Sequence, residues 1–445
     1  MRSLKTIVGA AALALLPTVA MAEVESETAY VLNTFLFLVC GVLVMFMAAG
    51  FSMLEAGMVR YRSVATIILK NISLYAVAGL MYFLIGYNVM YNGVDGGYIG
   101  QFLMWGADDA AAEAGDFGGG YAAASDWFFQ MVFVATTASI VSGAVAERMK
   151  IEPFLVFTAI LTGVLYPITG AWQWGGGWLA EMGFSDFAGS TLVHSVGGWA
   201  ALVGCMILGP RIGRFNDDGS PVPMLPSSAA LVGLGVFVLW FGWFGFNGGS
   251  QLALGSGADA IAISNIFANT NTAAAAGVVA AILLSRLRNG RIDLYAALNG
   301  ALGGLVAITA EPLMPSIGQA ALIGAAGGGL VVVTSPLLER FKIDDVVGAV
   351  PVHLVCGIFG TLVVPMSNPD TSFMVQLQGV LAIGAFTIVA SAIVWTIIKL
   401  VMGLRLPPEE EELGLDIAEL EISGYPYFEE RKDSRVLRAP KASKK

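Results

Sequence analysis

Hydrophobic residues in this chain gather into long blocks parted by short polar breaks. The blocks lie near residues 31–54, 67–91, 127–147, 152–173, 189–209, 228–248, 259–285, 293–311, 317–338, 346–366 and 374–403. A helix crossing a hydrocarbon core about 30 Å thick needs about 20 consecutive apolar residues, so each block predicts a membrane helix. The predicted fold is an all-α polytopic membrane protein with eleven transmembrane helices.

A shorter apolar run precedes them. Arg2 and Lys5 lead into Ile7 to Ala20, and Ala20-Met21-Ala22 makes an A-x-A cleavage site before the polar Glu23. Residues 1–22 are therefore expected to be a removed signal peptide. A retained first helix is the alternative, but the run is short for one. Cleavage leaves the new N-terminus outside, and an odd number of crossings then puts the C-terminus inside. Charge tests this count independently, because positive residues collect on inner loops. Arg60, Arg62 and Lys70; Arg148 and Lys150; Arg211 and Arg214; Arg286, Arg288 and Arg291; and Arg340 and Lys342 all fall at alternate breaks. Lys399, Arg405 and the tail cations complete the set, and the intervening loops near 92–126, 174–188, 249–258, 312–316 and 367–373 hold none. A wrong count scrambles that alternation, so the pattern predicts N-out and C-in, in the inner membrane of the cell.

Composition agrees. Of 445 residues, 56% are hydrophobic and 13% charged, with 55 glycines and a mean hydropathy of +0.75, far from soluble domains. The bilayer is the expected partner; no nucleic-acid partner, cofactor or metal is expected. The net charge of -10 says little about partners, since charges are sorted by side. Cys40, Cys205 and Cys356 are scattered within apolar runs and suggest packing, with neither a disulfide framework nor a thiolate metal site. A proline-rich connection from Phe215 to Ser228 divides the membrane domain, 23–406, into helices 1–5 (about 31–209), helices 6–10 (about 228–366) and an eleventh (374–403). The Gly, Ala and Asp mixture between Gly106 and Asp126 is expected to be solvated filler. Residues 407–445 form a tail that opens on Pro407, Pro408 and the acidic run Glu409 to Glu412, expected to be solvated on the cytoplasmic side.

The chemistry centres on the two histidines, His194 and His353. Each stands in an apolar, glycine-rich stretch, eight positions after an aspartate, Asp186 or Asp345. An ionisable group inside hydrocarbon is costly, and imidazole is the side chain whose proton moves near neutrality. Five helices is an odd offset, so the second half enters the membrane inverted relative to the first, an arrangement common in transporters with midplane sites. Eight residues advance a helix by about 12 Å, so from opposite faces both histidines reach the central region. Two unrelated core histidines are the plainer alternative, which the matched spacing disfavours. Asp186 suits a helix cap, and also suits attraction of a cation near an outer vestibule. Asp344 and Asp345 suit a cap or a partner for Arg340 or Lys342. Aromatics crowd the outer helix ends: Phe129 and Phe133, Trp172 and Trp174, and Trp243, Phe244 and Phe246 beside Asn247 and Ser250. Interfacial belts and cation-π capture both explain such clusters.

The stretches GAVAER, WQWGGGWLA, DFAGSTLVH, GWFGFNGGS, VVGAVPVHLVCG and LPPEEEELGLD closely resemble signatures of the ammonium transporter (Amt/Rh) family, in the family's order, from about residue 30 to residue 416. The resemblance to bacterial Amt members implies eleven helices around an inverted five-plus-five repeat, assembled as a homotrimer with one pore per subunit. It implies an outer ammonium site at Phe129, Trp174 and Ser250 with Asp186 beside it, and a gate at Phe133 and Phe246. It further implies a lumen lined by Trp243, His194, His353 and Thr309, and a PII-type signalling protein as a partner at the cytoplasmic face. Leu54, Glu55 and Glu311 depart from common family residues, and Leu420 and Glu421 replace a tail histidine and glycine, which weakens the case for that partner.

Physical chemistry points the same way. Ammonium and potassium are similar in size, and either costs many kcal/mol to bring uncompensated into low dielectric. Ammonium alone can drop a proton. An apolar path with a hydrogen-bonding rail of imidazoles then conducts ammonia and rejects potassium. An Rh-like gas channel is the nearest rival, against which the outer aromatic site argues. A sensor would act through a separate partner, and an enzyme would need a nucleophile or metal set that two histidines do not supply.

Overall fold

The computed structural model describes residues 24–426, so the expected cleavage site and the last part of the tail lie outside the described residues. The helices are α1 (Ser26–Met58), α2 (Tyr61–Tyr91), α3 (Ala123–Ala144) and α4, which runs through Ile151–Ile160, Leu161–Leu165 and Tyr166–Gln173. They continue as α5 (Ser190–Leu208), α6 (Ala229–Gly249), α7 (Gly257–Asn289), α8 (Leu294–Thr309), α9 (Ile317–Arg340), α10 (Val350–Met366) and α11 (Phe373–Met402). Two short helices, α12 (Pro408–Leu413) and α13 (Leu415–Leu420), form the described tail. Among the described residues, nine helices are long and apolar enough to cross a membrane, and α8 and α10 are shorter apolar helices. No strand is present among them, only the isolated bridges Met149 to Arg405 and Phe215 to Pro221. The protein is an all-α, multi-pass membrane protein.

The helices coincide with the predicted blocks, and α1 and α7 extend beyond them. A helix satisfies its own backbone, so it continues past the hydrocarbon wherever nothing stops it. Large apolar side chains point outward, among them Phe35, Val42 and Phe46 of α1 and Leu381, Val389 and Leu400 of α11. That is the orientation a hydrocarbon solvent favours.

Small residues set the helix contacts, because lipid offers no hydrophobic drive between helices and close backbone approach must supply dispersion instead. Along α1 and α6, a Cβ placed on Gly235 would lie 2.5 Å from the Leu54 nitrogen. Across α7, α8 and α9, a Cβ on Gly277 would lie 2.2 Å from the Gly300 oxygen, and one on Gly328 would lie 2.2 Å from the Gly277 oxygen. These helices touch peptide to peptide.

Helix ends bearing the arginines meet on one face. Arg211 pairs with Glu147 at 2.6 Å and with Asp344 at 2.8 Å, and Arg60 also pairs with Glu147. Arg148 is fully buried and donates to the carbonyls of Ala146 at 2.9 Å, Gly209 at 3.0 Å and Asp344 at 2.6 Å. Burial pushes the Asp344 carboxyl up, but Arg211 overcomes this and holds it well below the usual carboxylate range. Glu147 is lowered in the same way, burial opposing and Arg211 and Arg60 prevailing. The expected partners of Asp344, Arg340 and Lys342, are thus displaced by Arg211, which a distant helix end delivers.

Two segments expected to be solvated are largely exposed but anchored at particular residues. In the tail, Glu411 accepts from the Ile212 N–H at 2.8 Å and pairs with Arg405, while Asp416 accepts from Ala65 at 3.0 Å and Thr66 at 2.8 Å. Both carboxylates are buried; Glu411 meets a loop N–H and Asp416 two N–H groups at a helix start. The loop before α3 folds onto the start of α1, where Asn33 donates to the Gly120 carbonyl at 2.9 Å and Thr34 accepts from Ala122 at 2.9 Å.

Candidate functional site

One local device carries each histidine. α5 opens on a π-helical turn, Ser190–Ser195, and α10 opens on another, Val350–Val355, with His194 and His353 at the fifth and fourth positions respectively. A π turn inserts an extra residue and re-aims the side chains that follow, which is why such turns gather at functional sites. Before each turn stands a left-handed glycine, Gly189 at φ 104° and Gly348 at φ 81°, a conformation glycine adopts without strain. Three residues earlier stands the aspartate. Asp186 accepts backbone N–H bonds from Gly189 at 3.2 Å, Ser190 at 2.8 Å, Thr191 at 2.9 Å and Leu192 at 2.8 Å. Asp345 accepts from Val347 at 3.3 Å, Gly348 at 3.0 Å and Val350 at 2.7 Å. An anion at a helix start meets unpaired donors and the positive end of the dipole. Burial pushes the Asp186 carboxyl up to about 6 while those N–H bonds pull it down, and Asp345 is raised for the same reason against the same kind of bonds.

The two devices bring the imidazoles together. His194 Nδ1 lies 3.1 Å from His353 Nδ1, with ring centroids 5.2 Å apart and planes 20° from parallel. Both side chains are buried. Two ring nitrogens at that distance share one hydrogen, so one imidazole donates and the other accepts. Among the described residues, His194 Nε2 is buried without a hydrogen-bond partner. The His194 ring stacks on Trp243 at 5.0 Å, and Trp243 Nε1 donates to Thr309 Oγ1 at 2.8 Å. Thr309 in turn donates to the Leu305 carbonyl at 2.7 Å, so its part is to orient the indole. On the side of the basic face, His353 lines a cavity of about 20 Å³ with Phe51, Glu55 and Ser139.

Away from the basic face lies an aromatic seal. Phe246 is 5.4 Å from the His194 ring and stacks on Phe133 at 4.0 Å, both wholly or almost wholly buried. Beyond this pair opens a vestibule of about 390 Å³ lined by Phe129, Phe133, Trp174 and Ser250, and also by Tyr87, Tyr91, Tyr121, Asp126, Gln130 and Phe187. Trp174 Nε1 donates to the Asp186 carbonyl at 2.9 Å, and Ser250 Oγ donates to the Phe246 carbonyl at 2.8 Å. Asp186 is not in the lining; its backbone carbonyl holds the Trp174 indole, which is. The tyrosines and Asp126 escaped the sequence reading. A signal existed, since Asp126, Phe129, Gln130 and Phe133 follow the i, i+3, i+4, i+7 stripe of one helix face.

A profile described as the Ammonium Transporter Family matches residues 35–425. The chain belongs to the ammonium transporter family. Within it, the chain is 40% identical over 425 residues to Ammonium transporter Amt2 of Archaeoglobus fulgidus, covering 88% of this chain and 87% of the relative. It is 32% identical over 405 residues to the Ammonium transporter of Bacillus subtilis, covering 86% and 96%. Among solved structures of similar fold, one described as Sensor Amt Protein has a TM-score of 0.82 at 34% identity, covering 88% of this chain and 99% of that one. Mep2 of Candida albicans has a TM-score of 0.76 at 27% identity, covering 89% and 90%. These ammonium transporter likenesses run the length of the membrane domain, from α1 to the docked tail.

Proposed function

We propose that the protein carries ammonium across the cell membrane, taking the cation at the vestibule, removing its proton and passing ammonia between Phe133 and Phe246 to the imidazole pair. The observation carrying this reading is the 3.1 Å Nδ1 to Nδ1 contact of His194 and His353 beneath an aromatic seal. Phe129 and Trp174 offer ring faces to a cation, and Ser250 a hydroxyl. Past the phenyl rings a bare cation has no compensating charge, so the species that continues is neutral. If His194 donates from Nδ1, its Nε2 is an acceptor and the His353 Nε2 carries a hydrogen; the other tautomer reverses both. The pair therefore always presents an acceptor at one end and a donor at the other, a rail for ammonia, which does both. A proton accepted at His194 Nε2, shifted across the Nδ1 pair and released from His353 Nε2 makes transport electrogenic.

The same reading sets the topology. The charge alternation supports eleven crossings with an inner C-terminus, the Ala20-Met21-Ala22 site supports an outer N-terminus after signal-peptide removal, and the odd five-helix offset supports two inverted halves. The basic face with its docked tail is then cytoplasmic, in the inner membrane, and is where a PII-type protein would meet a homotrimer. Purified protein in liposomes on a solid-supported membrane tests the function: ammonium pulses should give transient currents and potassium pulses none. Absence of any ammonium-dependent current or uptake sinks the transport reading. Equal currents with both cations sink the deprotonation step.

A further inference from the structure

The acidic residue matched to the outer mouth, Asp186, has both carboxylate oxygens occupied by four backbone N–H groups and stands outside the vestibule lining. A different carboxylate lines that space. Asp126, in the first turn of α3, is 6% exposed and faces the vestibule. Its Oδ2 accepts from the Tyr87 hydroxyl at 2.5 Å, while its Oδ1 has only Gln130 Nε2, at 3.4 Å, among the described contacts. That second distance is at the edge of a hydrogen bond, so one lone-pair-rich oxygen is left with weak compensation. None of the described lysines or arginines lines the vestibule, and the protein supplies no cation to meet this carboxylate there. The rings of Tyr91 and Tyr121 share the lining. Along α3, Asp126 stands about one turn outward of Phe129 and two turns, about 10 Å, outward of Phe133.

We propose that Asp126, with Tyr87, Tyr91 and Tyr121, forms a docking site for a small monovalent cation bearing N–H donors, ammonium or methylammonium, outward of the Phe129 and Trp174 site. The inference rests on the ammonium reading above. A carboxylate at the mouth of a low-dielectric cleft raises the local cation concentration, and the tyrosine rings add cation-π attraction while shedding water. Asp186 is then a positioning residue, which fixes the start of α5 and the Trp174 indole. The competing account is that Asp126 exists only to accept the Tyr87 hydroxyl. An asparagine carbonyl still accepts it, more weakly, so Asp126→Asn removes the charge while keeping the contact.

The test is an ammonium titration of currents from the full chain in liposomes. Asp126→Asn is expected to raise half-saturating ammonium about tenfold, the scale of one partly screened unit charge, with wild-type current at saturation. Asp126→Glu should restore the wild-type value to within about threefold, because it restores the charge. An unshifted half-saturation in Asp126→Asn overturns the docking site. If that variant fails to assemble by gel filtration, Gln130→Lys decides: its ammonium group reaches Asp126 Oδ1 and should produce the same rise, and no shift overturns the proposal. A wild-type protein without ammonium current overturns the transport reading itself, whereas wild-type current with unshifted variants overturns this site alone.

Discussion

Replacing His353 with leucine separates the charge-carrying role of the imidazole pair from its role as a rail. Leucine fills a similar volume but brings no nitrogen. In the wild type His194 has one ring nitrogen bonded, across 3.1 Å, and one without a partner; the variant leaves both unpaired. Each unmet buried group costs about 1–3 kcal/mol, and ammonia crossing the same point loses a bond of that size. Since 1.4 kcal/mol is a factor of ten, conduction of ammonia should fall about 5–150-fold. The proton path has no such residual, because the acceptor for the His194 proton is gone. Two measurements on one liposome preparation are required: solid-supported-membrane current for charge, and stopped-flow internal alkalinisation for ammonia. Current should drop to the protein-free baseline while alkalinisation persists at the reduced rate. Full wild-type current with potassium still excluded refutes the imidazole relay.

Three further outcomes follow from the packing. Asp186→Asn keeps one accepting oxygen and turns an amide toward two of the four backbone donors, so thermal unfolding in detergent should show a loss of about 2–4 kcal/mol, with faster amide exchange at Thr191 and Leu192; unchanged exchange contradicts the cap. Arg211→Met leaves buried Glu147 only Arg60 and buried Asp344 only Arg214, at 3.4 Å, and should cost about 3 kcal/mol. Both carboxyls are lowered in the fold, so their stabilisation is present above their unfolded values and lost as pH falls: the wild-type melting temperature should be flat above about pH 5 and decline below about pH 4, a decline the variant flattens. Gly328→Ala puts a Cβ 2.2 Å from the Gly277 oxygen and should lower the yield of assembled protein, whereas the neighbouring Gly329→Ala meets only Leu284 Cδ1, at 3.1 Å, and should be tolerated.

The positions of the helices were legible because hydrocarbon imposes both a length and a composition on each one, and Arg60 through Arg405 mark the shared end. The matched spacing of His194 and His353 to their aspartates pointed to a shared place, and the two rings meet at 3.1 Å. What lay hidden depends on contacts that no local pattern encodes. Arg211 reaches Asp344 across 133 positions, and Asp416 caps a helix start 350 positions away. The π turns leave no periodic trace, since one extra residue in an apolar run looks like any other. Asp126 was overlooked for a different reason: a lone carboxylate closing a Gly, Ala and Asp loop reads as solvent-facing until the loop is seen folded against α1.

The peptide-to-peptide seam of α1 and α6, where a Cβ on Gly235 would lie 2.5 Å from the Leu54 nitrogen, bears on the pace of the proposed transport. Rocking one half against the other requires surfaces that slide, and interlocked backbones have no side-chain layer to repack. The groups standing between vestibule and imidazoles are the stacked phenyl rings of Phe133 and Phe246. If ammonia passes as proposed, its passage is timed by the rotation of two side chains and not by the microsecond-to-millisecond swing of hinged domains. On that reading, throughput follows the kinetics of a pore.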